Sequence, residues 1–341
     1  MRKNAALFFK GVKLLGKIKF LGIKLIRGLS LLIGLSILTF VMMHNSPIDP
    51  ITAYIGGDVS ITREQRESLE EHWGLNNPPY VQYFTWLKNF VSGDMGVSKI
   101  YRQPVSDIIE EKFIASLALM GISWLLSGTI GFCLGIIAAV KKGKPTDRLI
   151  KWLAYVQASV PTFWLGLMLL IVFSVWLRWF PIGISVPIGV ISSQVTIWDR
   201  IRHMILPIAT LSILGIANVT LHTREKMLDV LSSEYILFAK ARGESLWQII
   251  KNHGIRNVAL PAITLHFAYF GELFGGSVLA EQVFSYPGLG STLTDAGLKS
   301  DLPLLMGIVM VSAVFVFSGN MIADILNAAI NPRLKEGNSL D

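Results

Sequence analysis

The chain alternates between long uncharged apolar runs and shorter segments that hold most of its charged residues. A helix of about 20 apolar residues crosses the hydrocarbon core of a bilayer. Six runs approach or exceed this length, and only one of them contains an Asp, Glu, Lys or Arg residue, Glu272. The pattern therefore predicts an all-α polytopic membrane protein with six transmembrane helices. The runs are 28–43, 113–140, 152–177, 203–223, 258–280 and 302–323.

The distribution of basic residues predicts which side of the membrane each loop occupies. Residues 1–27, 141–151, 224–257 and the C-terminal tail hold 21 of the 31 lysines and arginines. Basic loops are retained on the cytoplasmic side, so both termini are expected there. Only 16% of the residues are charged and 52% are hydrophobic, which is unlike a soluble domain. The net charge of +8 is thus explained by topology and does not indicate a nucleic-acid partner.

The segments between the runs suggest a domain organisation. The N-terminal segment places lysines every few residues among apolar ones, which fits a helix on the inner leaflet or an extended basic flank. The predicted regions are a basic cytoplasmic or interfacial segment (1–27), a first transmembrane helix (28–45), an extracytoplasmic helical insertion (46–112), a core with five transmembrane helices (113–331) and a cytoplasmic tail (332–341).

The insertion has its own apolar pattern after an acidic helical stretch. The Asn76–Pro79 turn is expected to end one helix and precede another. Five large apolar residues then recur at helical spacing, which predicts a small core over the outer face, with a ligand-stacking platform as the alternative. They are Tyr80, Tyr83, Phe84, Leu87 and Phe90.

One cytoplasmic segment, 233–257, is polar but carries the signals of ordered structure. Ser233 followed by Glu234 favours a helix start, and Gly243 favours a left-handed helix end. Ser245 with Gln248 three residues later is a capping box for a second helix. Pro261 is expected in the first turn of the fifth span. A helix, a glycine turn and a helix indicate a docking element rather than a solvated loop.

Ala239, Gly243 and Val258–Pro261 resemble the cytoplasmic "EAA" loop of ABC importer permeases. Leu237 and Phe238 stand where the usual pattern has Glu-Ala, and the 14 residues between Gly243 and Val258 are similar to the peptide and nickel importer branch. Other matches follow in the same order along the chain. They are Gln82–Tyr83, Trp86–Leu87, Gly93–Gly96, Pro104–Val105, Glu281–Phe284, Pro287–Gly290, Ala323–Leu326 and Asn331–Arg333, where Asn331 replaces the usual Asp.

This resemblance implies a type I permease subunit of a bacterial cytoplasmic membrane, with residues 113–331 as its permease core. Such a subunit imports peptides or nickel and other metal chelates by alternating access. It further implies a second homologous permease, two cytoplasmic ATPase subunits and an extracytoplasmic substrate-binding protein as partners. The chain has no phosphate-binding loop motif, so ATP and Mg²⁺ are expected on the ATPases and no cofactor, metal or catalytic residue on this chain. The expected ATPase-coupling residues are Glu234, Tyr235, Ala239, Lys240, Ala241, Arg242, Gly243, Ser245 and Pro261.

An ionisable residue inside a span usually faces a cavity or a partner, because its burial in lipid costs about 3 kcal/mol. Glu272 is therefore a candidate for the translocation path, together with Tyr269 and His266. Alternatively, Tyr269 or the partner permease satisfies its carboxylate. Pro161 and Pro207 are candidate kinks, and the Gly131/Gly135 and Gly271/Gly275 pairs are candidate packing sites.

Two other classes of function require sequence features that this chain lacks. A self-sufficient secondary transporter or channel would call for inverted repeats and several buried acids, whereas no such repeat is evident and Glu272 stands alone. A membrane-embedded hydrolase would need a nucleophile–base pair or a metal motif, and neither pattern occurs.

Overall fold

The structure is a computed structural model, and it describes residues 2–47, 49, 51–52, 62–184 and 195–330. Within these residues the chain forms helices and no β-strand, which confirms the predicted all-α class. Two compact units are present. One contains residues up to Glu111 together with Leu293–Met321, and the other contains Lys112–Thr292 and Ile322–Ile330. The Asn331–Arg333 motif and the predicted tail lie outside the described residues.

The helices are numbered in chain order. They are α1 (Arg2–His44), α2 (Arg63–His72), α3 (Pro79–Val91), α4 (Val105–Val140), α5 (Pro145–Ser159), α6 (Thr162–Leu169), α7 (Ile197–Leu231), α8 (Glu234–Ala241), α9 (Leu246–Ile249), α10 (Ile255–Ala268), α11 (Phe270–Val283), α12 (Leu289–Leu298) and α13 (Leu302–Ile330). π-helical turns extend α6 over Leu170–Trp176 and join α9 to α10 over Ile250–Gly254.

Four helices among the described residues are long and apolar enough to cross a membrane. The number of spans rises to six if each of two bent helix pairs is counted as one span. The first pair is α5 with α6, and the second is α9–α10 with α11. The four single helices are Gly22–His44, Val105–Val140, Ile197–Leu231 and Leu302–Leu326. The structure thus allows four to six spans where the sequence predicts six, and two of the six would be bent rather than straight helices.

The third predicted span is broken at Pro161. The chain turns by 106° between α5 and α6, and Val160 has an extended backbone with φ −96° and ψ 126°. Proline disfavours the helical conformation for the residue before it, because its ring crowds that residue's backbone. The kink expected at Pro161 is thus a complete helix break, whereas α7 continues through Pro207.

The N-terminal segment is helical and continuous with the first span. α1 runs for 43 residues from Arg2 to His44 without interruption at the expected boundary near residue 27. The segment is therefore helical rather than extended, and its placement on the inner leaflet stays a prediction.

In the first unit, α3 packs beside the end of α1. Phe40, Tyr83 and Met306 form a buried cluster, and the Tyr83 hydroxyl lies 2.9 Å from the Ser36 hydroxyl. The rings of Phe40 and Tyr83 meet edge to face with centroids 5.4 Å apart. The contact fixes α3 along the side of α1 rather than beyond its end.

The loop before α4 is held by Asp301. Its carboxylate accepts hydrogen bonds from the Ser98 hydroxyl at 2.6 Å and the Ile100 backbone N–H at 3.0 Å. Between them, the Lys99 ammonium lies 4.1 Å from the centre of the Trp73 ring. Burial lowers the pKa of Lys99 to about 8, against the opposing attraction of Asp301 and Asp49. The insertion is thus anchored by buried polar contacts within this unit.

In the second unit, the predicted small-residue contact brings two helices together. A Cβ added at Gly131 would lie 2.8 Å from Val219, and one at Gly135 would lie 2.6 Å from Thr223. The glycines therefore let α4 approach α7 closely within this chain, as the packing interpretation expected. Gly275, by contrast, has no neighbour within 4 Å.

A buried acid organises the chain after α11. The Glu281 carboxylate, fully buried, accepts from the Ser116 hydroxyl at 2.6 Å and from the N–H groups of Gly290 at 2.7 Å and Ser291 at 3.0 Å. These N–H groups belong to the first turn of α12, where a negative charge is favoured. A side chain at Gly288 would overlap the carboxylate. The Glu281–Phe284 and Pro287–Gly290 motifs are therefore two halves of one helix cap.

Candidate functional site

The polar segment 233–257 forms two helices joined by a tight turn, as its sequence predicted. α8 covers Glu234–Ala241, and its companion begins at Leu246. The turn is stabilised by backbone hydrogen bonds from Gly243 N to Lys240 O at 2.9 Å and from Glu244 N to Ala239 O at 3.1 Å. This paired arrangement is a Schellman motif, which needs a left-handed residue after the helix. Gly243 supplies it with φ +85°.

Ser245 starts the second helix through a reciprocal capping box. The Gln248 N–H donates to the Ser245 hydroxyl at 3.4 Å, and the Ser245 N–H donates to Gln248 Oε1 at 2.7 Å. Ser233, which was also expected to cap, instead donates its hydroxyl proton to Val230 O at 2.6 Å and makes no side-chain cap. Glu234 still places an acid in the first turn of α8.

Glu244 ties the turn to the second helix. Its two carboxylate oxygens lie 2.6 Å from Arg242 Nη2 and 3.0 Å from His253 Nε2. Burial raises the pKa of the Glu244 carboxyl, but the hydrogen bonds from His253 and Arg242 outweigh it and hold the pKa below its ordinary value. The carboxylate is therefore charged at neutral pH and links Arg242 at the turn to His253 beyond α9.

The inner face of the hairpin is a small apolar core. Ile236, Ala239 and Ile249 are buried together, with Val230 and Leu231 from the end of α7 packed against them. Ala239, which carries part of the predicted motif, is completely buried. A larger side chain there would push α8 away from α9. The small residue is thus required by packing within this chain.

The outer face of the hairpin is apolar as well, but it is exposed. Phe238 is 71% exposed and Trp247 is 68% exposed, and Leu237 and Leu246 are also open. An open cleft of about 580 Å³ lies between the helices. It is lined by Tyr235, Phe238, Ala241, Arg242 and His253. Lys240 is exposed on the same helix.

Pro261 does not open the fifth span as predicted. α10 begins at Ile255 and continues the helical path from Leu246, so Pro261 lies inside it. The sequence interpretation placed a helix boundary between the polar segment and the apolar run. The structure instead carries one helical path from the hairpin into the membrane, which makes a direct mechanical connection between them.

The three candidate path residues do not converge. Tyr269 ends α10 at a bend of 51°, and Glu272 lies in the first turn of α11, where the helix N-terminus favours its charge. Both are exposed, as are Gly275 and Leu279 on the same face of α11. His266 is buried instead, with Nε2 2.8 Å from Trp124 O and its ring stacked on the Trp124 indole.

An ion pair that the sequence analysis missed supports the helix leading to the hairpin. Arg224 on α7 contacts both oxygens of Asp147, Nε at 2.7 Å and Nη2 at 3.0 Å. The Gly143 N–H also donates to Asp147 at 2.9 Å, and the Asp147 side chain is 1% exposed. Nothing in the local sequence pairs two residues so far apart, so only the tertiary structure reveals the contact.

Comparisons with known proteins identify relatives along almost the whole chain. Residues 131–336 match the family model "Binding-protein-dependent transport system inner membrane component", and residues 17–120 match its N-terminal companion, "Binding-prot-dependent transport system membrane comp, N-term". The first of these matches covers more than half of the chain.

Curated relatives share one type of name. The chain is 39% identical over 300 residues to the oligopeptide transport system permease protein AppB of Bacillus subtilis, covering 88% of this chain and 93% of that protein. It is 35% identical over 299 residues to the glutathione transport system permease protein GsiC of Escherichia coli K12, with the same coverage.

Among solved structures, the chain is similar to one chain of the inward-facing MetNI methionine ABC transporter. The TM-score is 0.54 at 14% identity, covering 66% of this chain and 96% of that chain. At this identity the likeness concerns the fold alone.

The Asp147–Arg224 pair gives a stability prediction. Arg224→Met leaves a buried carboxylate without its cation and is expected to cost about 3–5 kcal/mol of folding free energy. A double variant, Asp147→Leu combined with Arg224→Met, has neither charge. It should therefore lose less folding free energy than the variant with Arg224→Met alone. The measurement is equilibrium unfolding of the purified chain in mixed micelles. Equal losses in the single and double variants would show that the pair does not act as a unit.

Proposed function

The chain belongs to the family of binding-protein-dependent transport system inner membrane components, and we propose that segment 233–257 couples it to an ATPase. It is a multi-pass membrane protein and a permease subunit of an ABC importer. Such a subunit works with ATPase and substrate-binding partners in general. The interpretation as a self-sufficient transporter has no support among the relatives.

The exposed outer face of the hairpin is the observation that supports coupling. From Trp247 to Val258 the helical path rises about 16 Å at 1.5 Å per residue, so Trp247 lies well outside the apolar run. Large apolar side chains in water at that distance mark a protein contact. A helix that places Leu237 and Phe238 in a partner's groove fits this surface, because aromatic anchors dominate such interfaces.

The rigidity of the hairpin supports the same function. The Schellman turn, the capping box and the Glu244 bridge fix α8 against α9, and α9 continues into the membrane helix. Since no flexible segment separates the hairpin from α10, movement of a bound partner would displace α10 as well. Lys240 and Arg242 either meet acids on the ATPase or serve topology alone, and Arg242 is already engaged by Glu244.

We further propose the complete assembly and its energy source. Two homologous permease subunits form the translocation path, and each contacts one of two cytoplasmic ATPases. ATP and Mg²⁺ bind to those ATPases. An extracytoplasmic binding protein delivers the substrate, for which we propose peptides, because the relatives AppB and GsiC are named for oligopeptide and glutathione transport. Uptake of a nickel chelate in place of a peptide would contradict this part.

The exposed face of α11 is our proposal for the path. Tyr269, Glu272, Gly275 and Leu279 share that face, and no other residue of the described chain covers Gly275 within 4 Å. A carboxylate in this position can contact the amino group of a peptide. His266 points to Trp124 and is therefore omitted from the path.

Gly243→Val is expected to uncouple transport. The added Cβ meets no atom within 4 Å, so the cost comes from the backbone angle alone, about 1–3 kcal/mol for a β-branched residue. Gly243→Asn is the matched control, because asparagine tolerates left-handed φ. In reconstituted complexes, the valine variant should lose uptake and substrate-stimulated ATP hydrolysis together, while the asparagine variant keeps most of both. Full activity in the valine variant would refute the role of the turn.

Glu272→Gln is expected to lower peptide uptake while leaving the amount of assembled complex unchanged. Glu281→Gln on the same helix is the contrast, since its buried carboxylate holds the start of α12 and its loss should reduce assembly instead. Uptake kinetics over a full range of substrate concentrations, normalised to complex in the membrane, separate the two. Unchanged uptake kinetics in the Glu272→Gln variant would show that Glu272 has no role in the translocation path.

The orientation of the chain can be tested with single cysteines in a Cys133→Ala background. Ser68 on α2 and Lys142 after α4 are both exposed. If the basic loops are cytoplasmic, a membrane-impermeant maleimide should label Ser68→Cys in intact cells and Lys142→Cys only after permeabilisation. The opposite pattern would invert the proposed topology.

A further inference from the structure

We propose that α3 is an interfacial helix embedded in the outer surface of the bilayer, with one face in contact with lipid. The proposal concerns the predicted extracytoplasmic insertion and rests on the membrane-embedded fold, not on the proposed coupling or substrate. Two features of α3 support the contact with lipid: the different character of its three faces, and its depth beside α1.

The first face of α3 packs on protein. Tyr83 is buried against Phe40 and Met306, and Trp86 and Leu87 are partly buried in the same cluster. Phe90 stacks on Trp86 with ring centroids 5.2 Å apart. With about 100° of rotation per residue, these positions occupy one side of the helix.

The second face is apolar and uncovered. Phe84 is 63% exposed, and Tyr80 and Val91 are at least as open. Lys88 lies at the edge of this face and is exposed too. Aromatic residues with a flanking lysine are typical of the zone between headgroups and acyl chains, where the ammonium reaches water along its apolar stem.

The third face is polar. Thr85 and Asn89 are exposed on the side away from Phe84. Next to them, Gln82 donates through Nε2 to Leu75 O at 3.1 Å and Asn77 O at 2.8 Å, which secures the connection to the charged helix α2. The water side of α3 is thus identified by its own residues and by the segment attached to it. A protein arriving from water would meet this face and not the Phe84 face.

The depth of α3 follows from its contacts with α1. Ser36, which meets the Tyr83 hydroxyl, lies eight residues before the end of α1 at His44, or about 12 Å along the helix. Phe40 lies about 6 Å from that end. At the same level the free side of α1 exposes Leu38, Val41 and Met42, which is the surface of a lipid-facing span. These two levels overlap the boundary zone that interfacial helices occupy, about 5–10 Å into the bilayer.

The three faces and the depth together favour lipid as the occupant of the Tyr80–Phe84–Val91 face. In this position α3 would anchor the insertion at the membrane surface and hold α2 in water. The insertion would then be a fixed platform on the bilayer rather than a freely moving outer domain.

Nitroxide accessibility distinguishes the occupants. Single labels at Phe84→Cys and at the adjacent Thr85→Cys, in a Cys133→Ala background, are introduced into the full-length chain. The assembled complex is then reconstituted in phosphatidylethanolamine–phosphatidylglycerol vesicles. Power saturation compares collisions with oxygen, which concentrates in lipid, and with a water-soluble nickel chelate. The oxygen-to-nickel accessibility ratio should exceed one at residue 84 and fall below one at residue 85.

Three results would overturn the proposal. Greater access of nickel than oxygen at residue 84 would place that face in water. Water access that is lost only when the binding protein is added would make it a docking surface for that protein. Exclusion of both reagents would place another permease subunit against it. Tyr80→Cys, on the same face, repeats the test with an independent label, and none of these outcomes depends on ATP hydrolysis or on the coupling hairpin.

Discussion

The structure depends on one constraint, that a group with a hydrogen-bonding requirement finds its partner inside the protein when water is absent. The breaks in the apolar helices and the buried polar side chains both follow from it. Glu281 satisfies three donors at the start of α12, and Gly288 leaves room for its carboxylate. His266 likewise uses the Trp124 carbonyl as its partner. The acids and bases inside this fold are thus mostly accounted for by its architecture.

Glu272 differs from these residues, and the difference guides the assignment of the path. Its carboxylate lies on an exposed face at the start of α11, whereas Glu281, nine residues later, is completely enclosed. The enclosed acid holds the start of α12. For the exposed one we propose a contact outside this chain, with either a substrate or a second permease.

The sequence was sufficient for local structure and insufficient for contacts between distant segments. Gly243, the Ser245–Gln248 box and the apolar runs act over a few residues, so their patterns predicted the hairpin and the membrane helices correctly. Pro161 was identified as a kink, but a bend of 106° depends on how α5 and α6 pack. The position of Pro261 inside α10 was missed because no stop signal separates the hairpin from the span. Asp147 with Arg224 and Glu281 with Ser116 join residues far apart in sequence, and a single sequence considered alone does not reveal such pairs.

Exposed aromatic residues occur in two places in this protein, and depth decides what covers each of them. At Trp247 the helical path has left the apolar run by about 16 Å, and for this side chain and Phe238 beside it we propose a protein partner. Around Phe84 the helix lies beside the last turns of a membrane span, and there we propose lipid. The same degree of exposure thus supports two different proposals, protein docking in one segment and membrane contact in the other. An apolar surface can be interpreted only after its distance from the bilayer is known, and in this chain helix geometry supplies that distance.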